Sequence, residues 1–320
     1  MSKIEILQIS RMMPDADGKL SETFTVHRLD QAPDPEAMIR EVGPRIRGIV
    51  GSPGKRPVTA DVMRACPNLK IVSCNGVGYD NIDTGYAAEN DIIVTNTPDV
   101  LNEEVADTAL ALLLATLRNI PQADRFVRAG QWMKGPFPLS PTLRDRTAGI
   151  VGLGRIGKAI AKRLEAFGVS VAYHGRSQQK DVSYAYYPSI RELAAAVDTL
   201  ILIVPGGKET FHAVNAEVLR ALGPDGVLIN IARGSVVDEN ALIEALRNKV
   251  ILAAGLDVFE KEPQVPQGLI ELDNTVLLPH VGSASIHTRN AMANLVYSNL
   301  EAFFSGKAPI TPVPETPWKG

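Results

Sequence analysis

His280 follows the apolar run Thr275 to Leu278 and Pro279, and precedes Val281-Gly282. A histidine between a strand and a glycine turn can give and take a proton near neutrality. A satisfied structural histidine is the other reading of that position. His27, His174, His212 and His287 have no equally convincing setting. Arg233 closes Asn230-Ile231-Ala232-Arg233-Gly234, where its planar fork could hold a carboxylate or a carbonyl. Any acid of Asp257-Val258-Phe259-Glu260-Lys261-Glu262-Pro263 could orient a base, and a neighbouring carboxylate favours an imidazolium. Asn75-Gly76-Val77-Gly78 is either a backbone cradle for a carboxylate or an ordinary turn. No spacing suits a metal, and Ser283 and Ser285 form no nucleophile elbow.

Such groups act beside a cofactor, and the stretch Thr147 to Ser177 offers a seat for one. An apolar run, Ala148 to Val151, enters Gly152-Leu153-Gly154-Arg155-Ile156-Gly157. A helical stretch, Lys158 to Phe167, and a second apolar run, Val169 to Tyr173, follow. Strand, glycine turn, helix and strand form the context of a dinucleotide fingerprint. Gly152 permits the turn, Gly154 admits a pyrophosphate, and Gly157 lets helix and strand pack closely. The helix N-terminus contributes N–H groups and the positive end of its dipole. The second strand ends in Tyr173-His174-Gly175-Arg176-Ser177, without the acid that grips the ribose of NAD. A cation and a hydroxyl suit a 2′-phosphate, so NADPH is expected over NADH. A merely solvated Arg176 is the plainer alternative.

The elements that position these groups alternate. Strands are expected at Ile4 to Ile9, Phe24 to Leu29, Arg47 to Val50, Leu69 to Ser73 and Ile92 to Thr95. Helices are expected at Asp34 to Val42, Thr59 to Cys66 and Asp80 to Asn90. This is a small parallel α/β unit, ending near Asp99. Arg11-Met12-Met13-Pro14 follows its first strand, at the carboxyl end where such sheets bind ligands. Asn102 to Arg128 is the longest helical region, interrupted near Pro121. Its broad apolarity from Ala109 to Leu117 points to burial between domains or against another subunit. The βα rhythm resumes to Leu278, and Ser285 to Phe304 is a long helix that returns to the first domain. The proline-rich tail from Pro309 is expected to be extended.

With 320 residues, 45% hydrophobic and 22% charged, the chain is globular and large enough for two domains. A net charge of -3 without basic tracts argues against a nucleic-acid partner. The longest apolar helical stretch is too short for a bilayer, so no membrane association is expected. Cys66 and Cys74 suit a reducing cytoplasm.

Five stretches in order resemble the D-isomer-specific 2-hydroxyacid dehydrogenase family over nearly the whole length. They are Asn75 to Asp83, Gly152 to Gly157, Asn230 to Gly234, Gly255 through Pro263, and Pro279 to Gly282. The resemblance implies an α/β protein with two Rossmann-like domains, parallel sheets and a cleft between them. A flavodoxin-like substrate domain would comprise 1–100 and 286–320, and a dinucleotide-binding domain 101–285. The family's catalytic arginine, glutamate and histidine fall on Arg233, Glu262 and His280. Asn75, Gly76, Val77, Gly78 and Arg233 would bind substrate, and Met12 and Met13 are expected near its variable end or in packing. Beyond the glycine motif (Gly152, Leu153, Gly154, Arg155, Ile156, Gly157), cofactor contacts are expected from Thr108, His174, Arg176, Ser177, Val204, Pro205, Thr210, Ile231, Ala232, Arg233, Asp257, His280 and Gly282. The family's usual dimer would account for the apolar helix Val105 to Leu117.

Tyr173 to Ser177 looks like the NADPH-preferring glyoxylate/hydroxypyruvate reductases. The implied partner is a small 2-oxoacid. Relatives that reduce hydroxyphenylpyruvate, relatives with phosphoglycerate-like substrates, and dinucleotide-sensing corepressors are the other directions the resemblance leaves open.

Overall fold

The computed structural model describes residues 3–54 and 56–319. Two compact units emerge: one runs to Leu101 and resumes at Ser285, and the other is Asn102–Ala284.

The first unit alternates β1 (Glu5–Gln8), α1 (Pro14–Thr23), β2 (Thr25–Arg28), α2 (Pro35–Val42), β3 (Ile46–Gly51), α3 (Ala60–Arg64), β4 (Ile71–Cys74), α4 (Thr84–Glu89) and β5 (Ile93–Thr95). Its strands are parallel in the order β2-β1-β3-β4-β5, a flavodoxin-like sheet. Successive strand residues face opposite ways, so Ile6, Val50 and Ile71 enter one core while Leu7, Ile49 and Val72 enter the other. Helix α1 is absent from the sequence expectations. Only Ala16 and Leu20 of its residues are buried, so its apolar periodicity is weak. Pro14 opens it, where a missing N–H is harmless.

The helix Ile286–Phe304 returns to this unit, burying Ala293, Val296 and Leu300 in the core of Ile6 and Val50. The tail beyond it is extended and paired. Pro312 bridges Thr95 in antiparallel fashion, and Val313 N–H donates to Val94 O at 2.9 Å. Thr316 Oγ1 accepts from Val94 N–H at 2.8 Å. The tail thus covers the edge of β5, which would otherwise expose unpaired backbone. Asn299, wholly buried in the long helix, holds the return. Its Oδ1 accepts from Ile310 N–H at 2.8 Å and Thr311 N–H at 3.0 Å. Its Nδ2 donates to Leu295 O at 3.0 Å and Thr311 Oγ1 at 2.9 Å.

The second unit begins with α5 (Asn102–Leu117) and α6 (Ile120–Arg128), separated at Asn119, which adopts φ +51°. There follow β6 (Thr147–Val151), α7 (Arg155–Ala166), β7 (Ser170–His174), β8 (Ala185–Tyr187), α8 (Ile190–Ala196), β9 (Thr199–Leu202), α9 (Ala216–Leu222), β10 (Val227–Asn230), α10 (Glu239–Arg247), β11 (Ala253–Leu256), α11 (Gln267–Ile270) and β12 (Thr275–Leu277). The sheet is parallel in the order β12-β11-β10-β9-β6-β7-β8, a doubly wound arrangement that reverses between β6 and β9. The sequence expectations attribute the apolarity of α5 to a domain or subunit boundary. Instead, Val105, Ala109, Leu112 and Leu113 are buried as α5 packs on α7 and β11 of its own unit. Gly255 permits that approach, since a Cβ there would lie 2.5 Å from Thr116 Oγ1. Among the described residues no helix is long and apolar enough to cross a membrane.

Asn299→Ala removes both donors and acceptor of a buried side chain and leaves the partly buried N–H groups of Ile310 and Thr311 without it. Its expected destabilisation, read by urea denaturation, is about 2–3 kcal/mol. A change below about 0.5 kcal/mol, the ordinary range of a surface substitution, would contradict the role assigned to this side chain.

Candidate active site

Three loops leave the carboxyl ends of neighbouring strands β10, β11 and β12. The first is held by Asn230, only 1% exposed. Its Oδ1 accepts from Ala232 N–H at 3.0 Å and its Nδ2 donates to Arg233 O at 2.9 Å. This closes the turn and presents Arg233, whose Nη1 donates to Ala232 O at 2.8 Å. Gly234 then lies against the second loop. A Cβ on it would stand 1.9 Å from the carbonyl carbon of Phe259, so only glycine permits that approach.

The second loop starts at Asp257, 1% exposed. Its carboxylate accepts from Val281 N–H at 2.7 Å and Gly282 N–H at 2.8 Å, while its carbonyl accepts from His280 N–H at 2.8 Å. Burial pushes the Asp257 carboxyl above its ordinary range, against the pull of those N–H groups and His280. His280 is held in the left-handed region at φ +56°, unusual for a residue with a side chain. Its Nδ1 meets Glu262 Oε2 at 2.8 Å, and Glu262 Oε1 accepts from Phe259 N–H at 3.1 Å. An ionised carboxylate only accepts, so Nδ1 carries the proton. Nε2 is left to hold and release the second. Burial tends to raise the Glu262 carboxyl, but the hydrogen bond and charge of His280, the Phe259 N–H and the Arg233 charge outweigh it. The net result lies below the ordinary glutamate value.

On the same sheet edge, β6 leads into the glycine turn. Gly152 takes φ +101°, and a Cβ there would lie 2.6 Å from Ile203 O. A Cβ on Gly157 would lie 2.2 Å from Gly152 O, so α7 packs directly on the turn. Gly154 caps α7 and has open space where a side chain would project. That open face at the positive end of a 12-residue helix fits a dinucleotide pyrophosphate. At the end of β7, His174 Nδ1 donates to Tyr187 O at 3.0 Å, and Arg176 and Ser177 are exposed. Val204 and Pro205 follow β9, and Thr210 Oγ1 donates to Pro205 O at 2.7 Å. Thr108 of α5 donates to Gly282 O at 3.2 Å, tying that helix to the histidine loop.

Arg233, Glu262, His280, Asp257 and Gly282 are therefore brought together by direct bonds and close backbone packing, with Ile231 and Ala232 in the same turn. Asn75 to Gly78 and the two methionines belong to the other unit. Asn75, 8% exposed, leaves Oδ1 without a hydrogen-bond partner, whereas its carbonyl accepts from Ser52 Oγ at 2.8 Å. Asn96 Nδ2 donates to Val77 O at 2.9 Å, fixing the turn. Met12 is 4% exposed in the core of Ala16 and Leu20, and Met13 packs against that core. Both therefore take part in packing. Sequence reasoning missed as supports Asn230 and Gln179, whose Nε2 donates to Leu153 O of the glycine turn at 2.8 Å. An asparagine ending a strand before a turn is a readable signal for the first.

The depressed Glu262 value sets a pH test. Its ionised form stabilises the fold above its ordinary value, roughly pH 4.3, and the contribution is lost as pH falls through the lower folded value. Relative to Glu262→Gln, the parent should be more stable at neutral pH, with the gap closing below about pH 4. Thermal denaturation across that range checks this, and a gap independent of pH would contradict it.

Comparison with known proteins bears on the whole chain. The pattern for the D-isomer specific 2-hydroxyacid dehydrogenase, NAD binding domain, matches residues 110–282. The chain is 46% identical to glyoxylate/hydroxypyruvate reductase A of Arabidopsis thaliana, over 98% of this chain and 100% of that one. It is 45% identical to hydroxyphenylpyruvate reductase of Plectranthus scutellarioides, again over 98% and 100%. Among solved structures, the NADPH-dependent glyoxylate/hydroxypyruvate reductase of Sinorhizobium meliloti, in complex with NADP and malonate, superposes with a TM-score of 0.92. That pair is 50% identical over 100% of this chain and 99% of the other. With the glycine turn, the arginine loop and the histidine–glutamate pair in place on one sheet edge, the chain belongs to the D-isomer-specific 2-hydroxyacid dehydrogenase family.

Proposed function

We propose that the chain reduces small 2-oxoacids, glyoxylate and hydroxypyruvate, to glycolate and D-glycerate with NADPH. The observation that carries this reading is the His280–Glu262 pair at 2.8 Å, within the same loop set as Arg233. His280 Nε2 gives its proton to the oxygen of the former carbonyl. Glu262 orients the ring through Nδ1 and balances the imidazolium charge. Arg233 holds substrate through its fork and stabilises the negative charge that develops on that oxygen. The nicotinamide, when bound, supplies the hydride. The turn Asn75 to Gly78 is assigned the substrate carboxylate, which its backbone N–H groups would receive.

The preference for NADPH is supported by Arg176 and Ser177 at the end of β7, where no acid stands to repel a 2′-phosphate. The name of the Sinorhizobium meliloti reductase points the same way. A larger aryl 2-oxoacid is the second reading, favoured by the 45% identity to the Plectranthus enzyme. We place the protein in the cytoplasm, where a reducing medium would keep Cys66 and Cys74 as thiols. A homodimer is proposed as well. Its support now lies in Trp132, Met133 and Leu139, large apolar side chains exposed beyond α6, and not in the buried α5.

Steady-state rates with glyoxylate, hydroxypyruvate, pyruvate and phenylpyruvate, each with NADPH and NADH, test the assignment. Small substrates with NADPH should be fastest. Absence of turnover across the panel alongside tight dinucleotide binding would favour a sensing role. His280→Ala should lower turnover by about 10²–10⁴-fold while NADPH still binds. Undiminished turnover would remove His280 as the proton donor.

A further inference from the structure

The loop after β7 is anchored twice by one residue. Gln179 backbone N–H donates to Tyr173 Oη at 2.7 Å, and its Nε2 donates to Leu153 O at 2.8 Å. Tyr173 is wholly buried, with its ring 5.4 Å from that of Tyr186. Tyr186 Oη in turn donates to Gly175 O at 3.4 Å, at the near end of the loop. Leu153 lies between Gly152 and Gly154, so the carbonyl that Gln179 holds belongs to the glycine turn itself. One side chain therefore joins that turn to the loop carrying Arg176 and Ser177.

We propose that Gln179 is a positioning residue that sets the preference for NADPH by fixing the distance between the pyrophosphate turn and the 2′-phosphate loop. This rests on the NADPH reading given above. The need for such a tie follows from the end of β7. His174 has its Nδ1 committed to Tyr187 O, and the exposed Arg176 must meet a phosphate from a flexible side chain. A long side chain binds weakly when the backbone beneath it wanders, because ordering the loop then opposes binding. The ion pair Lys158–Asp181, at 2.9 Å, links α7 to the far end of the loop. Both of its side chains are exposed, so it holds little. The partly buried amide of Gln179 is the firmer tie. NADH has no 2′-phosphate, so the loop's exact position matters less to it.

Dissociation constants for NADPH and NADH, measured by fluorescence titration on the full chain, test the proposal with Gln179→Ala, Tyr173→Phe and Arg176→Ala. Loss of one neutral hydrogen bond predicts about fivefold weaker NADPH binding in Gln179→Ala, with NADH altered less than about twofold. Tyr173→Phe, which removes the other anchor, should shift the same ratio in the same direction. Should Gln179→Ala fail to fold, Gln179→Met keeps the length, lacks the donor and carries the same expectation. A selective loss in Arg176→Ala together with an equal or absent loss in the Gln179 variants would overturn the proposal and leave the NADPH reading intact. An unselective Arg176→Ala would overturn that reading, and the proposal with it.

Discussion

The carboxylate of Asp257 carries the arrangement. It is buried at the end of β11 and takes two backbone N–H groups from the loop beyond β12. Those bonds, with the one from His280 N–H to its carbonyl, hold His280 in a backbone conformation that a residue with a side chain does not favour. Charge-assisted bonds of this kind are about twice as strong as neutral ones, enough to maintain a locally strained residue. Without the carboxylate, Val281 and Gly282 N–H would lose their partners, and the imidazole would no longer be aimed at Glu262.

The supports are buried and the His280–Glu262 pair is accessible. Asp257 and Asn230 are buried, whereas the His280 side chain is 47% exposed and paired with a partly exposed Glu262. Such a pair adds little to stability on its own. Its value is directional, since it decides which ring nitrogen carries the permanent proton. The parallel sheet does the rest by sending the ends of β6, β7, β9, β10, β11 and β12 to one edge. The glycine turn and the His280–Glu262 pair therefore share an edge although Gly152 and His280 are far apart in the chain.

Local features were the most legible in the sequence. Gly152 to Gly157 could be read because strand, turn and helix are contiguous, and the steric role of each glycine follows from its neighbours. Arg233 and His280 stood out near strand ends, whereas Glu262 was one of three acids in its loop; the specific roles came from family resemblance, because no periodicity reports that Glu262 turns back to His280. Helix α1 was hidden by its polar composition, and β8 because this short edge strand buries none of its three residues. The apolarity of α5 was plain, yet whether a second subunit or its own α7 and β11 covered it depended on tertiary packing. The tie from Gln179 to Leu153 spans 26 residues and joins two loops, so no local pattern announces it.

The central claim is that His280, Glu262 and Arg233 direct reduction of a 2-oxoacid carbonyl from one fixed side. Hydroxypyruvate becomes chiral on reduction, so its product records that side. Chiral chromatography of the glycerate formed with NADPH is the most direct test. The account predicts the D-isomer alone; L-glycerate, or a racemic mixture formed by the enzyme, would contradict it.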